Sequence, residues 1–222
     1  MAELIEEFAP TLWSGLLDTL YMTFLATFFA YLAGLPLGIL LVATDKGGIT
    51  ENHLVNSVLG WFVNIGRSIP FVVLMLAVIP ITRAIAGKII GPTAAVVPLV
   101  IAAAPFVARL VETSLAEVDT GVVEAARCMG ATNGQIIRKV LLRESTPSLV
   151  RGLSIATITL IGYSAMAGAV GAGGLGDIAV RYGLHRGRTD VMILTVILLI
   201  VVVCVIQLAF DLISAGIDKR NR

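Results

Sequence analysis

Few side chains in this sequence can do chemistry, and their spacing excludes most of it. Nucleophilic or acid–base catalysis needs a hydroxyl or thiol beside a base, or a pair of acids on facing helices. His53 and His185 fall in polar joints, and Cys128 and Cys204 lie far apart with neither C-x-x-C nor C-x-x-H spacing, so both cysteines read as free thiols. Gly171-x-Gly173-x-x-Gly176 has the letters of a dinucleotide fingerprint but follows an apolar helix instead of a strand, so it reads as a glycine turn that ends a span. No Gly-x4-Gly-Lys-Ser/Thr phosphate loop occurs, because the lone Gly-Lys pair, Gly87-Lys88, runs into Ile89. An intramembrane protease or acyltransferase has no constellation here to work with, and a nucleotide hydrolase has no site.

What does stand out is a polar interruption, residues 122–143 (VVEAARCMGATNGQIIRKVLLR). Asp119 or Thr120 can cap a short helix starting near Gly121, which places Glu124 in the first turn, where the helix dipole favours a negative charge. Val122, Ala125, Ala126 and Met129 recur at helical spacing and predict one face, with two alanines that allow close approach of another backbone. Gly130 suits the left-handed residue that closes a helix. Thr132-x-x-Gln135 is a capping-box pattern that starts a second helix, with Ile136, Ile137, Val140 and Leu141 on its apolar face and Arg138, Lys139 and Arg143 facing water or headgroups. The reading is a helix–hinge–helix bracket; an amphipathic loop lying on a bilayer surface is the competing one.

The elements that must carry this bracket are apolar. Hydrophobic residues make up 57% of the chain, charged residues 14%, and the mean hydropathy is +0.95, which excludes an ordinary soluble domain. A net charge of +1 without a basic run gives no nucleic-acid signal. Five stretches are long enough to cross about 30 Å of hydrocarbon: 16–42, 58–79, 93–110, 149–170 and 191–213. Residues 1–15 and 214–222 are left as termini, and the acidic start makes a cleavable signal peptide unexpected. With a cytoplasmic C-terminus, ten Lys and Arg fall inside against five outside, so the N-terminus is expected outside and the bracket in the cytoplasm. Gly34-Leu35-Pro36-Leu37-Gly38 and the prolines at 98 and 105 predict kinks, and Gly34 and Gly38 have the spacing of a close helix contact.

Within the spans, Arg67 is a basic residue that needs a partner or water. Thr157, Ser164, Gly168 and Gly171 form a small, weakly polar stripe on the fourth span, near Tyr163 and Met166. The stripe fits either a narrow passage at a dimer axis or tight helix packing. Gln207 reads as a hydrogen bond between helices.

The E-A-A-x3-G pattern at Glu124, Ala125, Ala126 and Gly130, followed by Val140-x-Leu142, resembles the cytoplasmic loop of permease subunits of ATP-binding-cassette importers. The resemblance runs from about residue 16 to 212 and is nearest to the methionine-transport permeases. It is carried by Arg67-Ser68-Ile69-Pro70-Phe71, by AAAPFVAR at 102–109, by residues 129–140 and by IGYSAMAGAVGAGGLG at 161–176. Arg143 departs from it, standing where the family has proline, so the second helix is expected to continue towards Pro147.

The resemblance implies an all-α membrane protein with the five spans of the type I importer permease fold and a cytoplasmic coupling segment, residues 120–143, between the third and fourth. It implies a homodimer in a bacterial cytoplasmic membrane. Each bracket would dock through Glu124, Ala125, Ala126, Met129 and Gly130 on a soluble ATPase that holds ATP and Mg, and this chain would hold no cofactor. An extracytoplasmic binding protein would deliver methionine, and Arg67 and Ser68, with Thr157, Tyr163, Ser164, Met166 and Gly168, would lie near the pathway or its gate. A permease for another amino acid or small solute is the runner-up, with an intramembrane enzyme or a non-transporting scaffold further behind.

Overall fold

The computed structural model describes residues 2–217, with side chains from residue 6 onward. Among these residues every regular element is helical: α1 (Ala2–Thr44), α2 (His53–Ser68), α3 (Phe71–Ala77), α4 (Ile79–Ala86), α5 (Pro92–Ala116), α6 (Thr120–Cys128), α7 (Asn133–Gln135), α8 (Leu142–Glu144), α9 (Thr146–Gly168), α10 (Gly174–Ile178) and α11 (Thr189–Ile217). Two π-helical turns, Ile136–Leu141 and Ala179–Leu184, join α7 to α8 and extend α10. Hydrocarbon offers no partner to a backbone N–H or C=O, so helices are the form open to sequence this apolar. α1, α5, α9 and α11 are each long and apolar enough to cross a membrane, and α2 with α3 make a fifth candidate bent by 101°.

That bend is the main departure from the expected span at 58–79. A proline disfavours the helical region for the residue before it and has no N–H of its own. Ile69 is accordingly extended (φ −82°, ψ 123°), α2 stops at Ser68, and α3 restarts after Pro70 in a new direction. A further helix, α4, occupies what reads in sequence as a polar joint. Residues 2–15 are no separate terminus but the first turns of α1, because Phe8 and Leu12 are buried with Leu175, Ile178 and Val191. Helices α1 and α5 run unbroken through Pro36, Pro98 and Pro105. α11 takes in residues 214–217 of the expected tail; the basic residues Lys219, Arg220 and Arg222 lie outside the described residues.

The core is built from α1, α5 and α9, where Met22, Leu99, Val107, Val111 and Leu160 are buried together. A Cβ on Gly34 or Gly38 would come within 2.6 to 2.9 Å of Ala104, Val107, Ala108 or Val111, so this glycine pair sets the approach of α1 to α5. By contrast, only 17% of the most apolar window of α11 is buried, which leaves Ile197, Val201, Val205 and Leu208 to be covered by lipid or a second chain. Gln207 lies on this open side, with no hydrogen bond among the described residues, in place of the expected link between helices.

Candidate functional site

Between α5 and α9 the chain leaves the bundle as the expected bracket. The Asp119 carboxylate accepts the Gly121 N–H at 2.7 Å, satisfying one of the free donors at the start of α6. This cap puts Glu124 in the second turn, not the first, where the dipole does little for it, and the side chain is exposed. Gly130 closes α6 with φ 79°, a conformation that costs an ordinary residue about 1–2 kcal/mol. Thr132 then donates its N–H to Gln135 Oε1 at 2.9 Å, in the capping box that opens α7. Past Arg143 the helical ladder continues, Ser145 N–H to Leu141 O at 3.0 Å and Leu149 N–H to Ser145 O at 2.8 Å. With arginine in place of proline, the second arm feeds directly into α9, whose first turn holds Pro147.

The expected single face of α6 divides in two. Ala126 is buried and the neighbouring Val123 packs on the core, while Val122, Ala125 and Met129, the last 81% exposed, point away from the chain. On the second arm Ile136 and Leu141 are buried and Arg138, Lys139 and Arg143 exposed, as an amphipathic helix requires. A brace that no local pattern reveals holds the bracket in place: Arg127 Nη2 donates to the Gly48 carbonyl at 2.9 Å, tying α6 to the loop between α1 and α2. Between loop and bracket lies a cleft of about 400 Å³ bordered by Asp45, Lys46, Glu124 and Arg127. An exposed Val122–Ala125–Met129 stripe beside a cleft of mixed charge has the make-up of a protein-docking surface, apolar at its centre and polar at its rim.

The candidates within the spans fall into two groups. Thr157 and Ser164 are buried, and their hydroxyls donate inside α9, to Leu153 O at 2.8 Å and to Ile161 O at 2.7 Å. Gly168 is buried where a Cβ would lie 2.5 Å from the Asp177 backbone nitrogen. This stripe packs α9 on its own chain. The open face of α9 carries Ile155, Gly162 and Met166 instead: Ile155 and Met166 are each 50% exposed, and nothing stands within 4 Å of a Cβ at Gly162.

Tyr163 lies between the two faces and stacks on Phe71, with centroids 4.7 Å apart and planes 3° from parallel. The stack fixes the elbow between α2 and α3, where Arg67, Ser68, Ile69 and Pro70 are all exposed. The Ser68 hydroxyl donates to Asn64 O at 2.8 Å. One turn before the elbow, Asn64 Oδ1 accepts from Arg109 at 2.9 Å, and Arg109 also pairs with Glu112 at 2.5 Å. No spacing rule points to this cluster, because it joins two helices. At the far end of α9 the glycine turn is tied to α5 by Gly91 N–H donating to Gly171 O at 3.1 Å, and it follows a helix, as its failure as a nucleotide fingerprint requires. Among the described residues no three His, Cys, Asp or Glu come together as metal ligands would.

Residues 34–222 match the family model described as the binding-protein-dependent transport system inner membrane component. The chain belongs to that family. The match opens at Gly34, where α1 packs on α5, and takes in the elbow, the bracket and the glycine turn. This transport component is 54% identical to the probable D-methionine transport system permease protein MetI of Vibrio cholerae, over 91% of this chain and 90% of the relative. It is 47% identical to the methionine import system permease protein MetP of Bacillus subtilis, over 94% of each. A chain of the solved MetNI methionine ABC transporter, in an inward-facing conformation, is 48% identical and superposes with a TM-score of 0.95 over 96% of this chain and 99% of that one. The type I importer permease fold is therefore the fold of this transport component.

Proposed function

We propose that this chain is the permease subunit of an ATP-driven methionine importer, two copies forming the passage and a separate ATPase supplying the work. The observation that carries the reading is near 50% identity to methionine permeases over at least nine-tenths of both chains. The geometry supports it in two places. The bracket offers a braced, outward-facing stripe on which an ATPase can dock through Glu124, Ala125, Met129 and the Gly130 hinge, with Ala126 as its inward anchor. The open faces of α9 and α11 leave apolar surface for a second copy and for lipid.

The Lys and Arg distribution supports an N-terminus outside and the bracket in the cytoplasm, in a bacterial cytoplasmic membrane. ATP and Mg belong to the ATPase, and this chain contributes no cofactor. An extracytoplasmic binding protein delivers methionine to the side away from the bracket. Transport proceeds by alternating access: ATP binding moves the docked brackets as rigid bodies, and the passage between the two copies opens to one side at a time. On this reading Met166, Tyr163 and the Arg67–Ser68 elbow border the passage, while Thr157, Ser164 and Gly168 hold the wall together from behind.

The substrate is tested by uptake of labelled methionine into vesicles carrying permease, ATPase and binding protein. Excess unlabelled methionine is expected to suppress the signal by about tenfold or more, with the other natural amino acids far weaker. Equal suppression by an unrelated amino acid, or none by methionine, rejects the substrate assignment and leaves the fold untouched.

A further inference from the structure

The elbow places a charge at an unusual depth. Gly66 lies against Pro105, whose Cγ would stand 2.7 Å from a Cβ at position 66, and Pro105 falls near the middle of the 25-residue helix α5. Arg67, the next residue, is therefore close to the midplane of any bilayer that α5 spans. Its side chain is exposed, and it makes no hydrogen bond or ion pair among the described residues. The other charged side chains carried by α2 and α5, Arg109 and Glu112, are paired with each other. An intramembrane cation facing lipid is costly, so such residues face a watery cavity or an anion. α2 also ends here, and the last carbonyls of a helix have no helical donor. Breaks of this kind at the membrane midplane form substrate sites in other transporter folds.

We propose that Arg67 is the mid-membrane contact for the α-carboxylate of the transported amino acid, an inference that rests on the importer reading above. The guanidinium offers a planar pair of donors matched to a carboxylate, and the last carbonyls of α2, which have no helical donor, can accept from the neighbouring ammonium. The Phe71–Tyr163 stack, four residues further on, holds the elbow rigidly enough to present the arginine. Recognition of the backbone groups of an amino acid here leaves side-chain selection to other surfaces.

The test is equilibrium binding of labelled methionine to the purified permease–ATPase complex without binding protein. Norleucine, which keeps the carboxylate, is expected to compete, and methioninol, which lacks it, is not. Arg67→Met should weaken binding by about tenfold or more, with Arg67→Lys recovering a good part of the loss. Co-purification of the second copy and of the ATPase should match the wild type in each variant.

Competition by methioninol equal to that of norleucine, no saturable binding to the wild type, or a loss under about threefold in Arg67→Met overturns the proposal. A lipid phosphate as the true anion would show as binding that survives Arg67→Met, with activity falling in vesicles free of anionic lipid. An acid on the second copy would show as loss of the dimer. Failure of the wild type to import methionine would reject the importer reading itself, a result separate from any of these.

Discussion

Glu124→Arg is expected to lower ATP-driven methionine uptake roughly 30-fold or more, the effect of about 2 kcal/mol lost at a docked charge, while the chain still inserts and pairs. Two effects add. Glu124 is exposed on the cleft it shares with Lys46, Asp45 and Arg127, so reversal presents the ATPase with the wrong sign. The new arginine also sits three residues from Arg127, and like charges at that helical spacing cost about 0.2–0.5 kcal/mol. That repulsion loosens the Arg127–Gly48 brace. Glu124→Gln, which removes the charge without reversing it, should fall between. Uptake, ATPase co-purification and membrane yield are the readouts; wild-type uptake in the Arg variant would mean that α6 is not where the ATPase binds.

A second large effect is expected where the far end of α9 meets α10, and it concerns folding. A Cβ at Gly176 would lie 2.2 Å from the Ala165 carbonyl oxygen, and one at Gly168 would lie 2.5 Å from the Asp177 nitrogen. Both obstacles are backbone, which cannot turn aside as a flexible side chain can. Gly176→Val must therefore part α9 from α10. Overpacking of this kind costs typically about 1–3 kcal/mol and sometimes more, which for a chain of this size lowers Tm by roughly 2–12 °C. Gly162→Ala is the control, since its Cβ would meet nothing within 4 Å. A Gly176→Val protein that melts like the wild type would show that α9 and α10 are not packed this closely. It would also reopen Gly168 as a pathway residue.

These two residues mark what can and cannot be read from sequence. The bracket was legible because it is local: Asp119, Gly130 and the Thr132–Gln135 pair each act within a few residues, and the positive φ at Gly130 follows from its position. Glu124 falls one residue further along α6 than expected, and so just past its first turn, because the cap lies at Asp119 and α6 begins at Thr120. The brace from Arg127 to Gly48 spans two distant segments, so no pattern could announce it. Hydropathy located α1, α5, α9 and α11 but averaged across Ile69 and Pro70, hiding a 101° bend inside an apolar run. The small stripe on α9 showed that something approaches closely; only the fold shows that it is α10 of the same chain, and that Met166 and Gly162 are on the open side.

Docking of the ATPase on α6 can be read directly at Cys128. This thiol is exposed at the end of α6, beside Met129, and the other cysteine, Cys204, is remote on α11. With Cys204 replaced by serine, a membrane-impermeant thiol reagent is applied to inside-out vesicles with and without bound ATPase. Rapid labelling of Cys128 is expected when the ATPase is stripped away, and protection by about tenfold or more when it is restored. Labelling that ignores the ATPase, or that occurs only from the outer face of right-side-out vesicles, would contradict docking on α6.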